Sequence, residues 1–244
     1  MAKSAKEYVL IHGAAHGAWC WDAVARRLED KGHRVVAIDL PGHGRRAAEA
    51  RRATVGAYAA AVADTLAEEG VSRAVLVGHS MAGIVISKAA VLAPARIAHL
   101  VYLAAVVLPT GGSMLEDHIM PGARGALRGL AASGGAGTIA FPASMALDRW
   151  MGDLSPADPG TARAVAALTP QPFRPLAERV DLRAFYALAT PRSYIRCLRD
   201  RAVTPAQATL YASRLGVAPV DLDTAHDPML SAPDDLARIL DGIG

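Results

Sequence analysis

The chain has 244 residues, 52% hydrophobic and 20% charged, with 26 basic against 23 acidic side chains and a net charge of +3. That is ample apolar material for a large core and far too little excess charge for a nucleic-acid footprint. The length suits one domain carrying an inserted subdomain; Cys20 and Cys197 cannot make a disulfide framework, and the apolar runs are too short to cross a bilayer.

In chain order, MAKSAKEYVLIHG shows no apolar leader before a first predicted strand at 8–11, so a cytoplasmic protein with free thiols is expected. The loop HGAAHG follows, and then Val24 and Leu28 predict one face of a helix over 21–31. A second strand, RVVAI, leads into DLPGHG, and the basic cluster from Arg45 to Arg52 reads as a solvated loop face. Thr54 is placed to cap a helix in which Val55, Tyr58, Val62 and Leu66 share one face, ending at Gly70. A third strand at 74–77 runs into GHSMAG, and a helix over 83–92 stops before Pro94. A fourth strand is predicted at 100–107. These strands are continuous apolar runs, as expected when helices cover both faces of a parallel sheet.

Between about Pro109 and Arg192 the rhythm breaks and no strand is evident. Residues 121–137 are too rich in glycine and alanine to pack tightly, and short helical pieces are expected at 143–151, 159–168 and 176–188. An insertion of this length inside an α/β domain reads as a cap over a site. Strands return at 193–198 and 218–222, and Pro233 opens a final helix as a first-turn proline.

Sites in such sheets gather at the carboxyl ends of the strands. There the chain places Ser80 within GHSMAG, Asp200 after the strand at 193–198, and His226 after the strand at 218–222. A serine, an acid and a histidine in that order are what an α/β-hydrolase triad requires. Asp221, Asp223 and Asp227 lie too near His226 in sequence to serve as the acid. The turn pattern G-x-S-x-small lets a serine adopt strained dihedrals; Ala82 stands where glycine is usual, and it is small enough to keep the turn. The backbone N–H of Met81, at the start of the following helix, and an N–H of the first-strand loop, Ala14, are the candidate oxyanion donors.

The stretch VLIHGAAHGAWCWDAVARRLEDKGHRVVAIDLPGHG, with GHSMAG and the tail HDPMLSAP, resembles the plant methylesterase and hydroxynitrile lyase family of α/β-hydrolases and its bacterial esterase relatives. The motif H-G-x-x-H-G-x-W, here His12, His16 and Trp19, carries much of that likeness, which is weakest between 110 and 190. It implies an α/β fold of the α/β-hydrolase type, a mostly parallel central sheet flanked by helices, with a helical cap over approximately 110–190 of a single domain. It also implies a catalytic triad of Ser80, Asp200 and His226, oxyanion donors at Ala14 and Met81, no metal and no cofactor. Cyanohydrin-cleaving members carry a threonine in the first-strand loop and a lysine directly after the histidine; Gly13 and Asp227 stand there instead and favour an esterase.

For Asp227 two roles are expected: a salt bridge to an arginine outside the pocket, or selection of a basic or neutral substrate. His16 and His79 are expected to hydrogen-bond loop backbone. A metal site from His12, His16, His43 and His79 is disfavoured, since no carboxylate accompanies them and their spacing fits no helix face. Phe141, Met145, Trp150 and Met151 either line an acyl or alcohol pocket or form the cap's own core. The expected partner is a small-molecule ester, largely apolar, with a methyl ester as one form; no nucleic acid and no membrane are expected, and a homodimer is compatible with the reading. Thioesterase, hydroxynitrile lyase, cofactor-free oxygenase and ligand-binding roles stay open as alternatives.

Overall fold

A computed structural model describes residues 5–243. The amino-terminal half runs β1 (Glu7–Ile11), α1 (Asp22–Glu29), β2 (Arg34–Ile38), α2 (Val55–Glu68), β3 (Ala74–His79), α3 (Ala82–Leu92) and β4 (Ile97–Leu103). An insertion follows, with α4 (Met114–Asp117), α5 (Pro121–Ser133), β5 (Thr138–Ile139), α6 (Ala143–Arg149), α7 (Pro159–Ala166), β6 (Gln171–Pro172), α8 (Arg174–Ala177) and α9 (Arg183–Tyr186). The chain then completes the sheet with β7 (Arg192–Cys197), α10 (Pro205–Arg214), β8 (Pro219–Leu222), α11 (Pro228–Ser231) and α12 (Pro233–Gly242).

The six-stranded sheet has the order β2-β1-β3-β4-β7-β8, and every described pairing in it is parallel. Strand pleating sorts the apolar runs to two faces. Val9 and Ile11 of β1, Leu76 of β3 and Leu100 and Tyr102 of β4 meet α2 and α3 in one core. Tyr8 and Leu10, Val75 and Val77, and Val101 and Leu103 point the other way, against Trp21, Val24 and Leu28 near α1 and Leu236 and Leu240 of α12. Each fully buried aliphatic side chain contributes about 1.5–3 kcal/mol, so both faces must be covered for these runs to be favourable. The N-cap Thr54 forms as expected, its hydroxyl accepting from the Ala57 N–H at 2.9 Å.

Strand order reverses between β1 and β3, with β2 on one side and β4 on the other. The crevice at the carboxyl ends of such neighbours is where open α/β sheets bind ligands. HGAAHG leaves β1 there, and Ser80 leaves β3 beside it.

The structure departs from the sequence reading at five places, the first being the helical piece expected at 176–188, which is two separate four-residue helices, α8 and α9. The fourth strand ends at Leu103 rather than at 107, because Ala104 turns to a φ of 43° and breaks the pleat. The stretch 121–137 contains a 13-residue helix, α5, though a loosely packed one in which Ala131 is the buried residue. Two-residue strands β5 and β6 pair antiparallel inside the insertion, too short to show alternation in sequence. Helix α10 was not anticipated, although Thr204 and Gln207 form the capping box that announces it.

Candidate active site

Ser80 sits at the tip of the β3–α3 turn with φ 54°, a left-handed conformation that costs an L-residue about 1–3 kcal/mol. Backbone bonds to the neighbouring strand's exit impose it. The Ser80 N–H donates to the Leu103 carbonyl at 3.1 Å, and the Ser80 carbonyl accepts from Gly83 at 3.1 Å and Val106 at 3.0 Å. The flanking glycines make room for this. A Cβ at Gly78 would lie 2.8 Å from the Ala82 carbonyl oxygen, and one at Gly83 would lie 2.5 Å from that of Val106. Ala82, the departure from the usual pattern, is fully buried in the core beside α2.

His226 and Asp200 approach from the ends of β8 and β7. The His226 Nδ1–H donates to Asp200 Oδ2 at 2.6 Å, and Asp200 Oδ1 accepts from the N–H groups of Ala202 at 2.7 Å and Val203 at 2.9 Å. Both side chains are buried. Burial alone would depress the His226 pKa, but the Asp200 charge and hydrogen bond, with Asp227 adding, raise it above the ordinary imidazole value. Ser80, 8% exposed, and His226 line the same cavity. The Ser80 hydroxyl makes no hydrogen bond among the described residues.

The HGAAHG loop is held by its own histidines. The Leu40 N–H donates to His12 Nε2 at 3.0 Å, so Nδ1 carries the proton and donates to the Gly13 carbonyl at 2.8 Å. That carbonyl shares a peptide plane with the Ala14 N–H, which is thereby turned the opposite way. Burial holds His12 well below its ordinary pKa and therefore neutral. Among the described residues, neither the Ala14 nor the Met81 N–H has a protein acceptor, and Met81 caps the start of α3. Ala14 lines the cavity, while the Met81 side chain is buried in the core.

His16 and His79 bond loop backbone as expected, His16 Nδ1 to the Ala14 carbonyl at 2.8 Å and His79 Nε2 to the His226 carbonyl at 3.0 Å. Asp227 does not fit either expectation. It is fully buried, is not part of the cavity wall, and accepts from His16 Nε2 at 3.0 Å, with His79 Nε2 at 3.6 Å. Burial would raise its pKa, but the neighbouring His16, His79 and His226 lower it well below the ordinary carboxylate range. It faces histidines because HGAAHG and the His226 loop meet there, a contact invisible in sequence. His79, His226 and Asp227 present ligand atoms within 4.8 Å of one another, but His226 Nδ1 is committed to Asp200 and Asp227 Oδ2 to His16.

The cavity, about 920 Å³, lies between the sheet ends and the insertion. Met114, Leu127, Leu130 and Leu176 make much of its wall, with Phe141, Met145 and Trp150. The last three also take part in an apolar cluster that joins the insertion to Ala15 of the HGAAHG loop, and Met151 belongs to that cluster without lining the cavity. His118 lines the cavity too and bonds the Tyr211 hydroxyl at 3.0 Å; burial, with His226 and Arg149, pushes its pKa down to about 4, so it is neutral at pH 7.

The insertion also grips the His226 loop and the HGAAHG loop. The Asp227 N–H donates to the Trp150 carbonyl at 3.1 Å and the Ala225 N–H to Asp153 Oδ2 at 2.8 Å. Fully buried Gln171 of β6 accepts the Ala15 N–H at 2.9 Å, and the Thr169 N–H donates to the Ala15 carbonyl at 2.8 Å. The sequence reading passed over Gln171, Asp153 and His118; an isolated polar residue within an irregular insertion carries no spacing signal.

A family model described as "Alpha/beta hydrolase family" matches residues 8–239. Methylesterase 11 of Arabidopsis thaliana, a chloroplastic relative named only provisionally for that activity, is 30% identical over 250 residues, covering 96% of this chain and 62% of its own length. The chain thus spans less than two thirds of that relative. Among solved structures, an extracellular alpha/beta-hydrolase from a Paenibacillus species superposes with a TM-score of 0.90 at 26% identity, over 98% of this chain and 99% of that one. It is described as sharing structural and functional homology with tobacco salicylic acid binding protein 2. A pyrethroid hydrolase from Sphingobium faniae JZ-2 superposes with a TM-score of 0.75 at 29% identity, over 97% of this chain and 96% of its own. Among the described residues, no helix is long and apolar enough to cross a membrane.

Proposed function

Because this chain belongs to the alpha/beta hydrolase family, we propose that it is a serine carboxylesterase in which Ser80 is the nucleophile, His226 the base and Asp200 its orienting partner. The observation that carries the reading is Ser80 held at φ 54° on the wall of a cavity shared with a His226 already bonded to Asp200 at 2.6 Å. His226 Nε2 takes the Ser80 proton as Oγ attacks the ester carbonyl carbon, and the resulting oxyanion is received by the free N–H groups of Met81 and Ala14. The imidazolium, stabilised by Asp200, returns its proton to the departing alkoxide, leaving an acyl-enzyme and an alcohol. Water then attacks the acyl carbon with His226 again as base, releasing the acid and restoring Ser80.

The apolar wall suits an ester with a largely apolar acid part, and the methylesterase relatives make methyl esters the first to try. Gly13 supports ester hydrolysis over cyanohydrin cleavage. A Cβ there would lie 2.8 Å from the Ser80 Cβ and 2.9 Å from His79 Nδ1, leaving no space for the threonine of cyanohydrin-cleaving relatives. The reading takes the enzyme to be cytoplasmic and its product alcohol to be small, and it is compatible with a homodimer.

The test is hydrolysis of p-nitrophenyl acetate and butyrate by the wild type and Ser80→Ala, with mass spectrometry after a serine-directed phosphonate. Turnover lost by at least about 10⁴-fold in Ser80→Ala, with one adduct on Ser80, is the expected result. A wild type without turnover or adduct overturns the reading.

A further inference from the structure

We propose that Gln171, a residue of the insertion, is a positioning residue for the oxyanion donors, an assignment that rests on the esterase reading above. Gln171 is fully buried, and its one side chain reaches both segments that supply those donors. Its Oε1 accepts from the Ala15 N–H at 2.9 Å, one residue beyond Ala14. Its Nε2 donates to the Met81 sulfur at 3.6 Å and to the Pro172 carbonyl at 2.8 Å.

The amide orientation is not arbitrary. A backbone N–H can only donate, so the atom facing Ala15 must be the oxygen, and His43 Nε2 at 2.9 Å must then donate to it as well. Burial keeps His43 below its ordinary imidazole pKa, consistent with a neutral ring in that role. Two accepted and two donated bonds use nearly everything a primary amide offers, and glutamine has the length to reach both loops.

The need for such a clamp lies in Ala15. With φ 62° it occupies the left-handed region without being glycine, so the loop does not hold this shape from local preference. Its conformation is held from outside: Gln171 takes the N–H, Thr169 donates to the carbonyl at 2.8 Å, and His16 Nδ1 holds the preceding Ala14 carbonyl at 2.8 Å. The Ala14–Ala15 peptide plane is thus pinned on both edges. Releasing Ala15 allows the loop to relax and moves the Ala14 N–H from the place where the oxyanion forms. Misplacement by about 1 Å can cost on the order of 100-fold in rate.

The experiment compares wild type, Gln171→Met and Gln171→Glu on p-nitrophenyl butyrate, with active sites counted by phosphonate titration. Affinity for an alkyl boronic acid, whose tetrahedral adduct on the serine carries an oxygen in the oxyanion position, is measured beside it. In Gln171→Met, kcat per titrated site is expected to fall about 10–100-fold with KM within about threefold, and boronate affinity to weaken by a similar factor. Gln171→Glu, which keeps the acceptor for Ala15 and His43, should recover part of both losses, and it serves if the methionine variant does not fold.

A lower count of active sites with unchanged kcat per site would show a merely structural role and overturn the assignment. So would a raised KM with kcat unchanged, or a fall in kcat without loss of boronate affinity. Wild-type turnover that survives Ser80→Ala would instead sink the esterase reading itself, and the assignment with it.

Discussion

Glycine serves opposite ends in two regions of this molecule. In the β3–α3 turn, Gly78 and Gly83 stand where a single methyl group would strike a backbone carbonyl, at 2.8 Å and 2.5 Å. On α5 of the insertion, a Cβ at Gly122, Gly125 or Gly129 would meet nothing within 4 Å. The first region is set by close approach of main chain to main chain, and its shape survives only if every neighbour stays small. The second is held down by little: Ala131 is the buried residue of α5, and Met120 beside it is 68% exposed. The sheet edge around Ser80 is thus tightly built, whereas part of the facing cavity wall comes from a weakly packed helix. A few bonds from the insertion to the Ala15 and His226 loops join the two.

Substitutions can break this contrast, and the strongest should act at the sheet. Asp200→Asn removes the charge that holds the His226 imidazolium, and kcat should fall about 10⁴-fold. The pH profile reports the same interaction. A base whose pKa is raised stays protonated to higher pH, so the acid limb of kcat/KM should lie above the ordinary imidazole value and move down in Asp200→Asn. An acid limb at or below that value in the wild type would contradict the ion pair described here.

Next in size is Gly83→Ala. Overpacking against the Val106 carbonyl should cost about 1–3 kcal/mol, read from denaturant midpoints, and should lower activity because the same carbonyl's peptide follows a bond that shapes Ser80. Unchanged stability would mean that the turn relaxes more easily than its contacts imply.

In the insertion, Leu127→Ala should change the preference between acetate and longer acyl chains several-fold while leaving turnover of the acetate within about twofold, since an added or missing methylene is worth about 1–3 kcal/mol in a hydrophobic pocket. Equal losses on all esters would place Leu127 in the general scaffold instead. The smallest effect has the opposite sign. Gly125→Ala and Gly129→Ala should each stabilise by about 0.4–1 kcal/mol, because helix propensity improves where no contact opposes it. Destabilisation there would show that α5 packs more tightly than its exposure indicates.

By itself, the sequence determined the layered α/β fold, the places along the chain of the six sheet strands, and the candidates Ser80, Asp200 and His226. Each of these depends on local chemistry or on repeating apolar runs. Continuous apolar strands demand cover on both faces, glycines permit a tight turn, and a strand end brings its next residues to one edge of the sheet. Tertiary structure alone decided the rest. Asp227 was legible as an acid beside the histidine, but its partner His16 comes from the loop after β1. Gln171 showed no pattern at all, because its role depends on β6 passing over Ala15 and Met81. The fourth strand ends early for a similar reason: past Ala104, which still bonds Ile195 of β7, Val106 bonds the Ser80 turn rather than a neighbouring strand. Periodicity records which face a residue buries, whereas the partner of a lone polar group is fixed only when distant segments converge.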